Sequence, residues 1–113
     1  ASAGIRNIIS IHMTSKGSGA VQSALVAVSM LKEKLPDIHV EVVDTLNVAL
    51  CQGWIAIESA RAALAGISAD AILQRIRDML PVTRMLQTAD TLTSVCPSLW
   101  RTVPWTASQF LFF

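Results

Sequence analysis

Three hydroxyl residues, Thr14, Ser15 and Ser18, share one short loop with Gly17 and Gly19, inside the stretch "IISIHMTSKGSGAVQSALVAV" of residues 8–28. The chemistry such a loop could do is anion binding. A helix start carries unpaired backbone N–H groups and the positive end of the helix dipole. A phosphate, a carboxylate and no ligand at all are the three alternatives. A Walker loop places its lysine just after a second glycine, whereas Lys16 precedes both Gly17 and Gly19. A dinucleotide fingerprint needs a third glycine that "GSGAVQ" lacks. Without a ligand, Ser18 is simply an N-cap and the glycines shape a tight turn. Hydroxyls plus helix amides, with no committed cation, suit a single carboxylate better than a triphosphate.

Other candidates are thinner. His12 lies in a strand beside the loop and reads as a hydrogen-bonded core histidine. His39 lies in a strand start with no nearby acid–Ser constellation. Asp44 and Thr45, at the end of the second strand, could line the same crevice or cap the helix that follows. A Ser15–His12–Asp44 hydrolase lacks the G-x-S-x-G elbow. Cys51 and Cys96 have no metal-like spacing and read as two reduced thiols.

The elements that must position this loop follow from periodicity. Ile5, Ile8, Ile9, Ile11 and Met13 suit a buried strand. Val21, Leu25, Val28, Leu31 and Leu35 recur at helical spacing, and Pro36 ends that helix. "IHVEVVDT" reads as a second strand, so the unit is β-α-β with a parallel pairing. A helix is expected over 47–65, with Leu50, Trp54 and Ile57 on one side and a Glu58–Arg61 pair on the other. Gly66 stops it, and Ser68 caps a third helix whose Ile72, Ile76 and Leu80 point inward until Pro81. "TRMLQTAD" reads as a third strand. The expected architecture is an α/β three-layer sandwich with a small, mostly parallel sheet over residues 5–92.

Nine Lys+Arg against eight Asp+Glu leave a net charge of +1, which offers no basic field for nucleic acid. Hydrophobic residues make up 52% of the chain, implying a well-buried sheet or an apolar surface that other protein covers. Residues 96–113 hold Trp100, Trp105, Phe110, Phe112 and Phe113 without helical or strand period. That segment is expected to lack regular structure, to shield apolar surface or to drive self-association. No signal peptide or membrane-length run is evident, so a cytoplasmic location is expected.

The residues now fall into a recognisable order. "IISIHMTSKGSGAVQSA" resembles the DegV family motif, in which a strand is followed by S-S-x-x-S-G-T-Y-x-S-A. "VEVVDTLNVALCQGWIAIESARAALAGISADAILQRI" is similar to the family's next segment, where a V-V-D-[ST] strand end leads into two helices. "LQTADTL" resembles the strand and D-x-L step that follow. The resemblance runs over residues 8–92. It implies a non-enzymatic carrier that binds a long-chain fatty acid and presents its carboxylate to a fatty acid kinase for phospholipid synthesis, with no cofactor or metal. By resemblance, Ser15 stands at the serine that contacts the carboxylate, Thr14 at the serine before it, and Ser18 and Gly19 at the S-G of the helix start.

The chain also departs from the family pattern. The opening D-[ST]-x-[AS]-D strand and the T-S-Q-P-S loop, which supplies a second carboxylate contact, are absent. By that resemblance, "TSVCPSLWRTVPW" stands where K-G-G-R should follow Leu92, and residues 1–113 do not include the family's second domain. Residues 1–95 are therefore expected to form a partial DegV-like domain, and 96–113 a divergent tail of the kind a truncation or frameshift leaves. The competing expectation is a structural or interaction fragment that oligomerises through that tail.

Overall fold

The computed structural model describes residues 4–88 and 110–112. A strand β1 (Asn7–His12) leads through the Ser/Gly loop into helix α1 (Ala20–Lys34), and strand β2 (His39–Asp44) follows. Helices α2 (Ala49–Leu64) and α3 (Ala69–Met79) come next, then short strands β3 (Leu86–Thr88) and β4 (Phe110–Phe112). β1 and β2 pair in parallel, from Asn7 opposite His39 to His12 opposite Asp44. That is the β-α-β unit expected from periodicity. Side chains alternate along a strand, so the odd-numbered residues of β1 and β2 share one face. Ile9, Ile11 and Val43 pack there against the buried cluster of Ile55, Ala62, Ile72 and Ile76 from α2 and α3. α1 lies against the even-numbered face, where Val21 is its buried residue. Helix, sheet and helix pair make the three layers.

Helix ends follow local chemistry. α1 stops at Lys34, two residues before Pro36, and α3 stops at Met79, two residues before Pro81. Gly66 takes a φ of +79°, and the Ile67 and Gly66 amides donate to the Ala62 and Ala63 carbonyls. This is the Schellman closure that a left-handed glycine permits. Ser68 caps α3 by accepting from the Ala71 amide. Glu58 receives Arg61 at 2.7 Å and Arg75 at 3.6 Å.

The structure settles which face of α2 is buried and corrects the place of the third strand. α2 buries Ile55, Ser59 and Ala62, while Leu50 is 87% exposed, Trp54 54% and Ile57 47%. Both stripes of this helix are apolar. The stripe that faces inward joins Ile55, fully buried, to the small Ser59 and Ala62. β3 does not join the parallel sheet; it pairs antiparallel with β4, Leu86 opposite Phe112. The terminal phenylalanine segment thus includes a strand, whereas regular structure was not expected there. The rest of the tail, Trp100, Trp105 and Cys96 included, lies outside the described residues.

The orientation of α2 gives different costs to two substitutions. Ile76→Ala, at a site 1% exposed, should lose about 2–5 kcal/mol in denaturant melts. Trp54→Ala should lose about 1 kcal/mol or less, since it removes mainly a surface contact with Arg61, whose guanidinium lies 6.0 Å from the ring. A larger loss at Trp54 than at Ile76 would contradict that orientation.

Candidate functional site

The C-terminal ends of β1 and β2 carry two turns that bond to each other. Thr45 donates its amide to the His12 carbonyl at 3.1 Å and its hydroxyl to the same oxygen at 2.7 Å. The Thr14 amide donates to the Asn47 carbonyl at 2.9 Å. These contacts continue the ladder past the last strand pair and clamp the loop 14–19 against the turn 44–47. Open parallel sheets hold their ligands at this end.

Inside the loop most donors are already spent. The Thr14 carbonyl accepts from the Gly17 and Ser18 amides, both at 3.2 Å, and its hydroxyl accepts from the Lys16 amide at 3.3 Å. Thr14 is 1% exposed, so it builds the loop from beneath. Ser18 accepts from the Ala20 amide at 3.2 Å, within the turn before the helix. Gly19 occupies the N-cap position of α1 and has no side chain with which to cap. Among the described residues, the amides of Gly19, Val21 and Gln22 have no protein acceptor. Ser15 is exposed at the mouth of the loop.

The Ser15 amide already has an anion. It donates to both carboxylate oxygens of Asp44, at 3.3 and 3.2 Å, and the Leu46 amide donates to Asp44 Oδ1 at 2.9 Å. Burial pushes the Asp44 pKa up. The Ser15 side chain, the Leu46 and Ser15 amides and the nearby Lys16 charge outweigh it, holding Asp44 below its ordinary value. Asp44 and Thr45 therefore tie turn to loop; the N-cap of α2 is Val48, without a side-chain bond. Sequence reasoning placed Asp44 beside the crevice but missed its grip on Ser15, which only the β1–β2 register brings about.

Asn47 was missed too. It is 1% exposed, donates from Nδ2 to the Thr45 carbonyl at 3.0 Å, and leaves Oδ1 without a partner. Leu46 and Ala49 on either side take φ of 53° and 50°, conformations that L side chains seldom adopt. The signal available was the D-T-x-N run of turn-forming residues straight after a strand. His12 is engaged by the Ser10 hydroxyl at 2.8 Å, as a hydrogen-bonded histidine should be. His39 pairs with Glu41 at 3.0 Å, away from the loop. Among the described residues no group of three or more His, Cys, Asp or Glu could hold a metal. No helix among them is long and apolar enough to cross a membrane.

Comparison with known proteins decides the family. A family model described as an uncharacterised protein of the DegV family matches residues 1–95. The chain belongs to the DegV family. It is similar to a DegV domain-containing protein of Caldanaerobacter subterraneus subsp. tengcongensis, 32% identical over 75% of this chain and 29% of the relative. Its fold is similar to a structure described as "Fatty Acid Binding of a DegV family Protein from Thermus thermophilus". That match has a TM-score of 0.68 and 25% identity over 80% of this chain and 31% of the other. The chain thus spans about 30% of the length of the DegV proteins it matches.

The Asp44 contact has a pH signature. Its folded pKa lies below the ordinary 3.8, so its stabilisation is complete above that value and fades as pH falls through the folded pKa. Urea melts from pH 7 down to pH 2 should show wild type losing more stability on acidification than Asp44→Asn. Parallel curves for the two proteins would contradict the contact.

Proposed function

We propose that this chain is part of a lipid carrier that binds a long-chain fatty acid with its carboxyl end at the loop 14–19. The observation that carries the reading is the unfilled part of that loop. The Gly19, Val21 and Gln22 amides, without a protein acceptor among the described residues, and the exposed Ser15 hydroxyl all belong to the loop and first turn of α1, at the carboxyl end of the parallel pair. The similarity to a DegV protein described as fatty-acid binding supports the same ligand. Ser15 and Gly19 would meet the carboxyl group directly, while Thr14 and Ser18 would hold the loop in shape. Affinity would come from the acyl chain, at roughly 0.8 kcal/mol per buried methylene. The helix start adds about 0.3–1 kcal/mol and sets orientation.

The role is non-enzymatic: the bound acid is presented to a separate fatty acid kinase in the cytoplasm, as the family resemblance implies, and no nucleic acid is involved. A second reading is favoured by α2, whose Leu50, Trp54, Ile57 and Leu64 form an exposed apolar stripe. Such a surface suits an interaction fragment that self-associates, with or without the tail.

Titration with a long-chain fatty acid labelled at its carboxyl carbon separates the two. Saturable binding that Ser15→Ala weakens by about tenfold, the worth of one hydrogen bond to a charged group, supports the carrier. Binding that ignores Ser15→Ala and disappears when residues 96–113 are removed supports the interaction fragment.

A further inference from the structure

Resting on the carrier reading, we propose that the far end of the acyl chain lies in the cleft between β1 and the helix pair α2–α3, stopped by Asn7 and Ser68. The cleft has a volume of about 700 Å³, within the usual range for a small-molecule site. Ile9 and Ile11 of β1, Ala56, Ala60 and Ala63 of α2 and Ile72 of α3 line it. The three alanines recur three or four residues apart and so share one line of the helix. Their short side chains leave a hollow over Ile9 and Ile11, which are only half-buried. Ser59 also lines the cleft, but its hydroxyl is spent on the Ile55 carbonyl at 2.7 Å. The middle of the cleft is therefore apolar. Polar side chains mark its ends: Asn7 and Ser68 away from the loop, and Gln52, which donates to the Ile11 carbonyl at 3.4 Å, toward it.

Direction and length follow from the strand. The loop 14–19 continues β1, so a carboxyl group held there stands beyond Ile11. A chain leaving it along the sheet has two faces to follow. α1 occupies the even-numbered face. The cleft lies on the odd-numbered face of β1, and among the described residues β1 has a strand on one side only, which leaves an edge for entry. A strand advances about 3.3 Å over the three backbone bonds of each residue. An extended hydrocarbon therefore covers the four steps from Ile11 to Asn7 with about ten to twelve carbons. α2 begins beside the turn 44–47 and runs away from the loop, so Ala60 and Ala63 lie successively farther along that path.

The test uses the full chain and unbranched saturated fatty acids of increasing length, titrated below their micelle concentrations. Affinity should rise about two- to fourfold per added carbon, then level off once the chain end meets Asn7. Ala60→Phe and Ala63→Phe each put a ring into the cleft from an exposed helix position. Both should move the levelling point to shorter acids. Ala60→Phe should move it farther, by about four carbons, because three residues of helix advance about 4.5 Å. Variants that match wild type at every length overturn the proposal, as do equal losses at every length or a larger shift for Ala63→Phe. If acid binding still depends on Ser15 in those cases, the carrier reading stands and only the path of the chain falls. Wild type alone also decides, should a variant fail to fold. The acyl protons of bound hexadecanoic acid should give nuclear Overhauser contacts to the δ methyls of Ile9, Ile11 and Ile72. Contacts confined to Leu50 and Leu64, on the exposed stripe of α2, overturn the proposal. No saturable binding of any acid removes both readings.

Discussion

Everything at the candidate site hangs on the register of two strands. The pairing of His12 with Asp44 is the last rung of a six-rung ladder, and beyond it the chain diverges into two turns. Shifting that register by one residue would turn Asp44 to the opposite face and release Ser15. It would also move Val43 out of the core it shares with Ile9, Ile11, Ile55, Ile72 and Ile76. The same apolar packing that makes the sheet stable therefore also aims the carboxylate. The shape of the loop and the stability of the core are two readings of one alignment.

The sheet is narrow, and its narrowness shapes the rest. Two paired strands cannot cover three helices. α1 keeps Leu25, Val26 and Met30 largely in solvent, and α2 exposes a whole apolar stripe. The buried side of α2 is built from Ile55, Ser59 and Ala62, with Ser59 returning its hydroxyl to the Ile55 carbonyl at 2.7 Å. A polar group can sit in that face because it is satisfied within its own helix. The high apolar content of the chain is thus only partly spent on its own core.

What was legible in the sequence was local. Pro36, Gly66, Ser68 and Pro81 end or begin helices by the chemistry of one or two residues, and the structure uses all four in that way. The strand, loop and helix around Thr14, Ser15, Ser18 and Gly19 were equally plain, because hydrophobic period and glycine placement suffice to read them. The inward side of α2 was not. Leu50, Trp54 and Ile57 form as apolar a stripe as Ile55, Ser59 and Ala62, and period alone does not say which of the two meets the core. The Asp44–Ser15 contact was hidden for another reason. Its partners are 29 residues apart, and an aspartate after a strand resembles a helix cap. Period and composition carry no information about which distant turn will supply a carboxylate.

The bonds that clamp the two turns have a consequence for how the molecule comes together. Within the turn 44–47, Asp44 to Leu46 and Thr45 to Asn47 span two residues each and form as soon as the chain bends. The hydroxyl of Thr45 reaches His12 across 33 residues, and the loop-closure entropy of that span is lost before any rung of the ladder forms. α1 shortens the span by coiling the intervening chain. The loop 14–19 thus takes its final shape only when the strand pair has closed.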